Sequence, residues 1–304
     1  MNKFPAILFS LREKNMAIGV MTVYAALAVW AGLLVHGIMR KSYRLFLYFG
    51  LGLMLYLNLG YVIWGIPASI ASFIGIYDVL INIGVVSATD HAAISTCPEN
   101  SCTVWGERFV NHPAWGTAFY DRFANGSEFR SLLLYGHIVF NSLAFVLLHV
   151  QLFRPGFAEH KSSHRLLGKI TFGILTISLV CAVWLASQHG SVAEYGGRLA
   201  EFGFYSMAAF VYGTAIMGIV AIRSGDAEAH RVWMFRFAGS MWGSFWLFRV
   251  MLFVLDPLLR NVESAAILIC IWSSAPLGIV LGELVRRRLD RPQTLETSTN
   301  ISPA

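Results

Sequence analysis

Long apolar runs with almost no charge constrain the fold of this chain more than any other feature. Several approach the roughly 20 residues that an α-helix needs to cross the ~30 Å hydrocarbon layer of a membrane, and the first occupies residues 17–38. Within lipid, every backbone N–H and C=O must find a partner inside its own segment, and these runs lack the alternating pattern of barrel strands. The sequence therefore predicts an all-α fold, a polytopic transmembrane helical bundle embedded in a lipid bilayer.

Composition supports the same prediction. Hydrophobic residues make up 56% of the 304 residues and charged residues 13%, which is about half the charged share of a soluble domain. The formal net charge of +6 would suit nucleic acid, but most basic residues lie in short segments between the apolar runs, the pattern that anchors loops in the cytoplasm. We therefore expect a lipid environment and no nucleic acid partner.

The apolar runs predict seven or eight spans. The candidates are residues 17–38, 44–65, 67–88, 132–153, 166–187, 202–222, 236–256 and 265–284. The third contains Asp78 and Asn82 near its middle, and a central aspartate costs about 2.5–3.5 kcal/mol on insertion. That span either crosses the membrane with help from its neighbours, which gives eight spans, or lies along the membrane surface, which gives seven.

The spans divide the chain into three parts. The expected division is an N-terminal part with an outward-facing loop (1–131), a four-span core (132–256), and a last span with a disordered tail (257–304). If the spans alternate, the basic loops around 154–165 and 223–236 share one side with the arginine-rich tail. That side should be the cytoplasm, which places the chain in a plasma (inner) membrane with a cytoplasmic C-terminus.

Two cysteines stand out in the long polar loop. Cys97 and Cys102 flank the sequence ProGluAsnSer, a spacing that allows a small disulfide ring if the loop faces an oxidising compartment. A zinc site would need two further ligands, for which His91 and His112 are the nearby candidates.

Histidines at membrane depth are the main candidates for chemistry. His149, His164 and His230 fall near the inner ends of their spans, whereas His137 falls near an outer end. Neutral imidazole binds haem iron and other transition metals, and helical bundles build such sites from facing helices. The sequence thus suggests a haem b or transition-metal site, although a histidine near the headgroups is also stable there simply as an interfacial residue.

Four arginines suggest binding of an anionic group. Arg249 lies near the centre of its span, where a charge is costly unless it is paired or hydrated, and Asp78 and Asp256 are its candidate partners. Arg165, Arg231 and Arg236 lie at the inner ends of spans. Arg249 is expected either to pair with one of its two candidate carboxylates or to hold a substrate headgroup or a cofactor propionate, and all four arginines are candidates to bind an anionic group.

A series of sequence blocks resembles the DUF2306 family of membrane proteins. The blocks are PheValAsnHisPro at 109–113, GlyHis at 136–137, HisArgLeuLeuGlyLys at 164–169, and ArgSerGlyAspAlaGluAlaHisArgValTrpMetPheArg at 223–236. The matching positions are His137, Gln151, His164, Arg165, Gly168, His230, Arg231, Met234, Arg236 and Arg249. This family tends to have GlyPro just before the glutamine, whereas this chain has LeuLeuHisVal before Gln151. His149 is therefore a ligand candidate that departs from the family pattern. The resemblance implies a helical bundle without an established common activity, with His137, His164 and His230 as the family-like histidines.

Three functional hypotheses remain open from the sequence. The first is a membrane redox protein that passes electrons between a quinone and a partner. The second is a membrane-embedded enzyme acting on a lipid or isoprenoid, with histidines and Asp78 or Asp226 as acid and base. The third is a non-catalytic transporter, assembly factor or structural partner. Motifs of nucleotide-binding and soluble hydrolase chemistry are lacking, so those classes have no support.

Overall fold

The computed structural model describes part of the chain. The described residues are 25–26, 28–37, 39–40, 42, 44–63, 103–104, 107–108, 127–153, 160–187, 197–259 and 263–290. The predicted third span (67–88), Cys97 and Cys102 lie outside them. Asp78, His91 and His112 also lie outside them.

Helices dominate the described residues, which confirms the prediction of an all-α fold. They are α1 (Ala28–Gly37), α2 (Arg44–Ile63), α3 (Glu128–Phe153), α4 (Lys161–Ser187), α5 (Gly197–Arg223), α6 (Ala227–Trp242), α7 (Phe248–Leu258) and α8 (Glu263–Asp290). Two strands of two residues each, β1 (Thr103–Val104) and β2 (Glu107–Arg108), form a small antiparallel pair in which Thr103 is opposite Arg108.

Among the described residues, four helices are long and apolar enough to cross a membrane. They are Glu128–Phe153, Lys161–Ser187, Arg198–Arg223 and Ala266–Asp290. The predicted spans 132–153, 166–187 and 202–222 lie inside the first three, and 265–284 overlaps the fourth in all but one residue. Apolar segments of the shorter class occur at Ala28–Gly37 and Arg44–Leu53, within the predicted first and second spans.

The helix that contains the predicted span 236–256 is interrupted by a π-helical segment. Asp226 caps its start, where Oδ1 accepts the Ala229 N–H at 2.8 Å, and Gly225 makes the preceding turn at φ 85°. The π-helical segment, Gly243–Leu247, joins α6 to α7, with the Phe248 N–H donating to the Gly243 carbonyl. This continuous helix packs against α2, α3, α5 and α8, and so forms the centre of the bundle.

Two glycine pairs bring α6 and α8 into backbone contact. Gly239 and the first residue of the π-helical segment, Gly243, face Gly278 and Gly282 of α8. A Cβ at Gly278 would overlap the Gly239 carbonyl oxygen, and a Cβ at Gly282 would overlap the Phe235 carbonyl oxygen. Both pairs have the four-residue spacing that lets membrane helices approach closely, so this contact depends on the absence of side chains.

One end of the bundle collects the basic helix termini. The rings of His164 in α4 and His230 in α6 have centroids 6.3 Å apart, and Arg231 of α6 forms an ion pair with Asp290 of α8. We call this the basic end. The two HisArg pairs and the arginine-rich end of α8 therefore lie together, as the sequence predicted.

Candidate functional site

His164 and His230 form a side-chain pair at the basic end. Their planes are perpendicular at an interplanar angle of 90°, and both side chains are half-buried. His164 lies in the first turn of α4 and His230 in the first turn of α6. Residues 66 positions apart in the sequence thus face each other, which makes this pair the candidate functional site.

A hydrogen bond fixes the orientation of His230. Its Nδ1 lies 2.7 Å from the carbonyl oxygen of Gly218 in α5. Because a carbonyl only accepts, Nδ1 carries the proton, and Nε2 of the neutral ring keeps its lone pair. Metal-ligating histidines show this pattern, in which one ring nitrogen donates to a backbone carbonyl and the other binds the metal.

Met234 of α6 packs against Gly218 of α5, the residue whose carbonyl binds His230. A Cβ at Gly218 would lie 2.9 Å from the Met234 Sδ. The small residue thus allows the helix approach that brings the Gly218 carbonyl to His230. Both His230 and Met234 are positions of the DUF2306 resemblance, and the structure gives them this shared local role.

His149 occupies a different environment, inside the aromatic core. Its Nδ1 donates to the Phe145 carbonyl at 2.7 Å, and its Nε2 accepts the Trp242 indole N–H at 3.0 Å. Its ring neighbours are Phe145, Phe153, Trp242 and Trp246. Both ring nitrogens are used, so in this arrangement His149 offers no lone pair to a metal and acts as a link between α3 and α6.

His137 lies far from the His164–His230 pair. Its Nδ1 is 3.0 Å from the Ser178 hydroxyl and 3.1 Å from the Ser178 carbonyl oxygen. Ser178 lies 14 residues beyond His164 along α4, a rise of about 21 Å. A single metal cannot bind both His137 and His164, so the family-like histidines fall at two separate depths.

Arg231 and Arg236 are held by acids of this chain. Arg231 pairs with Asp290, and Arg236 Nε lies 3.7 Å from a Glu283 carboxylate oxygen. Arg286 donates to Glu283 and to Asp290 at 2.8 Å each, and Arg287 donates to Glu283 at 2.8 Å. These ion pairs join α6 to α8. Arg231 and Arg236 therefore stabilise the packing of these two helices at the basic end.

Arg249 is bound by neutral groups of the bundle. Its Nη1 donates to the Phe245 carbonyl at 2.8 Å, and its Nη2 donates to the Asn58 side-chain oxygen at 2.6 Å. Asn58, which is buried, also contacts the Ser142 hydroxyl at 3.4 Å. These contacts tie α2 and α3 to α7, and Asn58 is a partner that the sequence did not suggest.

Two further predicted residues have simpler positions. Asp226 uses its carboxylate to cap α6, which leaves little support for a role as catalytic acid or base. Arg165 is exposed on α4. Within the part of the chain that the structure describes, no group of three or more His, Cys, Asp or Glu side chains is placed to hold a metal ion.

The fold and the site define an α-helical membrane protein with helices of membrane-spanning length. The model of the family described as "Predicted membrane protein (DUF2306)" matches residues 134–285, half of the chain, and this chain belongs to that family. The match includes the paired histidines and extends through most of α8. Comparisons with curated proteins and with solved structures give no significant match.

Proposed function

We propose that this DUF2306 protein is a membrane redox protein that holds a haem or a transition metal between His164 and His230. The observation that carries the proposal is the ring pair at the basic end, with a centroid separation of 6.3 Å. Support also comes from the Gly218 carbonyl, which fixes the His230 tautomer and leaves Nε2 for a metal.

The ring separation is compatible with two imidazoles that bind one metal. With metal–nitrogen bonds of about 2.0–2.1 Å, each ring centre lies roughly 3.2 Å from the metal, so two opposite ligands have centres about 6.4 Å apart. Tetrahedral ligands would bring the centres to about 5.2 Å. The observed spacing of 6.3 Å is closer to the first value, and it is also a common spacing for two rings in edge-to-face contact.

The number of protein ligands favours haem over a bare ion. A structural zinc site uses four protein ligands, whereas a porphyrin supplies four nitrogens itself and leaves axial positions for side chains. Among the described residues, no third His, Cys, Asp or Glu side chain joins His164 and His230 in a metal-binding group. A b-type haem would give this pair one-electron chemistry, and a membrane quinone is the corresponding lipid-soluble partner.

The basic end is proposed to face the cytoplasm. Lys161, Arg165, Arg223 and the arginines of α8 lie at helix termini there, which agrees with the positive-inside rule. In this topology the chain has seven or eight spans in a plasma (inner) membrane, a cytoplasmic C-terminus, and the three-part division at residues 131 and 256.

The test is an absorbance spectrum and a metal analysis of the full chain purified in mild detergent from haem-replete cells. We expect a Soret band and about one iron per chain. His164→Ala and His230→Ala should each remove most of the band and the iron, because each removes one axial ligand.

His160→Ala is the matched control, since His160 is exposed and lies just before α4; it should keep the band. If the preparation were colourless but contained one copper or zinc per chain, and both ligand variants lost that metal, the histidine pair would bind a metal ion instead of haem. A colourless, metal-free wild-type protein would overturn the proposal.

A further inference from the structure

The start of α4 carries a basic face that the site does not use. Lys161, Arg165 and Lys169 follow one another at four-residue intervals and are all exposed. Residues four apart lie on one side of a helix. Three cations therefore form one stripe over the first turns of α4.

Nothing on the described chain neutralises this stripe. The first turn of α4 has no acidic residue, and none of the carboxylates in the described segments forms an ion pair with these three side chains. The positive end of the helix dipole lies at the same terminus and disfavours cations there. An anion beside these three side chains would be favoured both by their charge and by the helix dipole.

An apolar, lipid-facing stripe lies beside the basic stripe and extends beyond it along α4. Leu166 and Ile170 are 62% and 43% exposed, and Ile177 and Val180 are 48% and 63% exposed farther along α4. Between them, a Cβ at Gly173 would meet nothing within 4 Å. Cations at the helix start followed by an open apolar surface match the headgroup and the acyl chain of one lipid.

We propose that this face of α4 is a binding site for an anionic phospholipid. Lys161, Arg165 and Lys169 contact the phosphate and the charged headgroup, and an acyl chain lies along Leu166, Ile170 and the surface over Gly173. The site is separate from the His164–His230 proposal, because His164 points to α6 whereas these cations point outward.

Native mass spectrometry of the full chain in detergent, titrated with dioctanoyl phosphatidylglycerol or dioctanoyl phosphatidylcholine, tests the site. The wild type should bind phosphatidylglycerol with preference, and added salt should weaken that binding. The triple variant Lys161→Gln, Arg165→Gln, Lys169→Gln should bind phosphatidylglycerol about tenfold more weakly or worse and bind phosphatidylcholine as the wild type does.

The pair Arg198→Gln and Arg223→Gln is the matched control, since both are exposed cations on α5 and should leave the affinity unchanged. Glycerol phosphate, which has no acyl chain, should fail to compete. Equal wild-type affinity for the two lipids, an unchanged triple variant, or competition by glycerol phosphate would each overturn the proposal. Unaltered elution in size-exclusion chromatography shows that the triple variant is folded.

Discussion

Gly278→Leu should prevent α6 and α8 from packing and lower the melting temperature in detergent by about 10 °C or more. A Cβ at this position overlaps the Gly239 carbonyl oxygen and lies 2.6 Å from the Gly243 Cα. Since the opposing atoms belong to the backbone, no rotamer change relieves the overlap, and the cost should exceed the 1–3 kcal/mol of ordinary overpacking. Size-exclusion chromatography after heating measures the loss of folded protein.

Gly173→Leu serves as the control for this experiment. Gly173 lies on the exposed side of α4, with nothing within 4 Å of an added Cβ. The same substitution there should leave the melting temperature within about 2 °C of the wild type. If the two variants melted alike, the backbone contact between α6 and α8 would not contribute to stability.

His149→Ala should cost about 3–5 kcal/mol, because it opens a cavity in the aromatic core and leaves the Trp242 indole N–H without its acceptor. His149 is 4% exposed and Trp242 is 1% exposed, so water cannot replace the lost partner without entering the core. Chemical unfolding in mixed micelles, followed by far-ultraviolet circular dichroism, gives the free energy of unfolding.

A double-mutant cycle isolates the hydrogen bond in this link. Trp242→Phe removes the donor and keeps an aromatic ring, and the double variant should be more stable than the sum of the two single losses predicts. His36→Ala, at an exposed position, should change stability by less than about 0.5 kcal/mol. Strict additivity of His149→Ala and Trp242→Phe would show that the two side chains are not coupled.

The sequence predicted the helices well because one physical quantity, the length of an apolar run, controls them. The predicted span 166–187 lies within Lys161–Ser187, and 202–222 lies within Gly197–Arg223. The meeting of His164 and His230 also followed from the sequence, since each opens a helix after a similar basic loop. Alternating spans then place both at one end.

Side-chain partners were not predictable in the same way. The acceptor for the Trp242 indole is His149, 93 residues away, and one partner of Arg249 is Asn58, 191 residues away. Such pairs depend on which helices are neighbours and on how each helix is rotated about its own axis. The pattern of apolar residues in the sequence shows neither. Arg231 and Arg236 were expected to bind an anionic group, and the anions proved to include Asp290 and Glu283 of α8.

One packing signal was present in the sequence and was missed. GlySerMetTrpGly at 239–243 and GlyIleValLeuGly at 278–282 both have the small-residue spacing of close membrane helices.

The π-helical segment also changes the direction in which the side chains beyond it point from the central helix. Each residue of an α-helix advances the side-chain direction by about 100°, and the wider turn at Gly243–Leu247 accommodates roughly one extra residue. Trp242 can thus point at His149 while Arg249, seven residues and nearly two turns later, points at Asn58. Deleting a single residue from this segment would rotate all later side chains of the helix about its axis. The extra residue of the π-helical segment therefore determines the direction from which the Arg249 guanidinium enters the bundle.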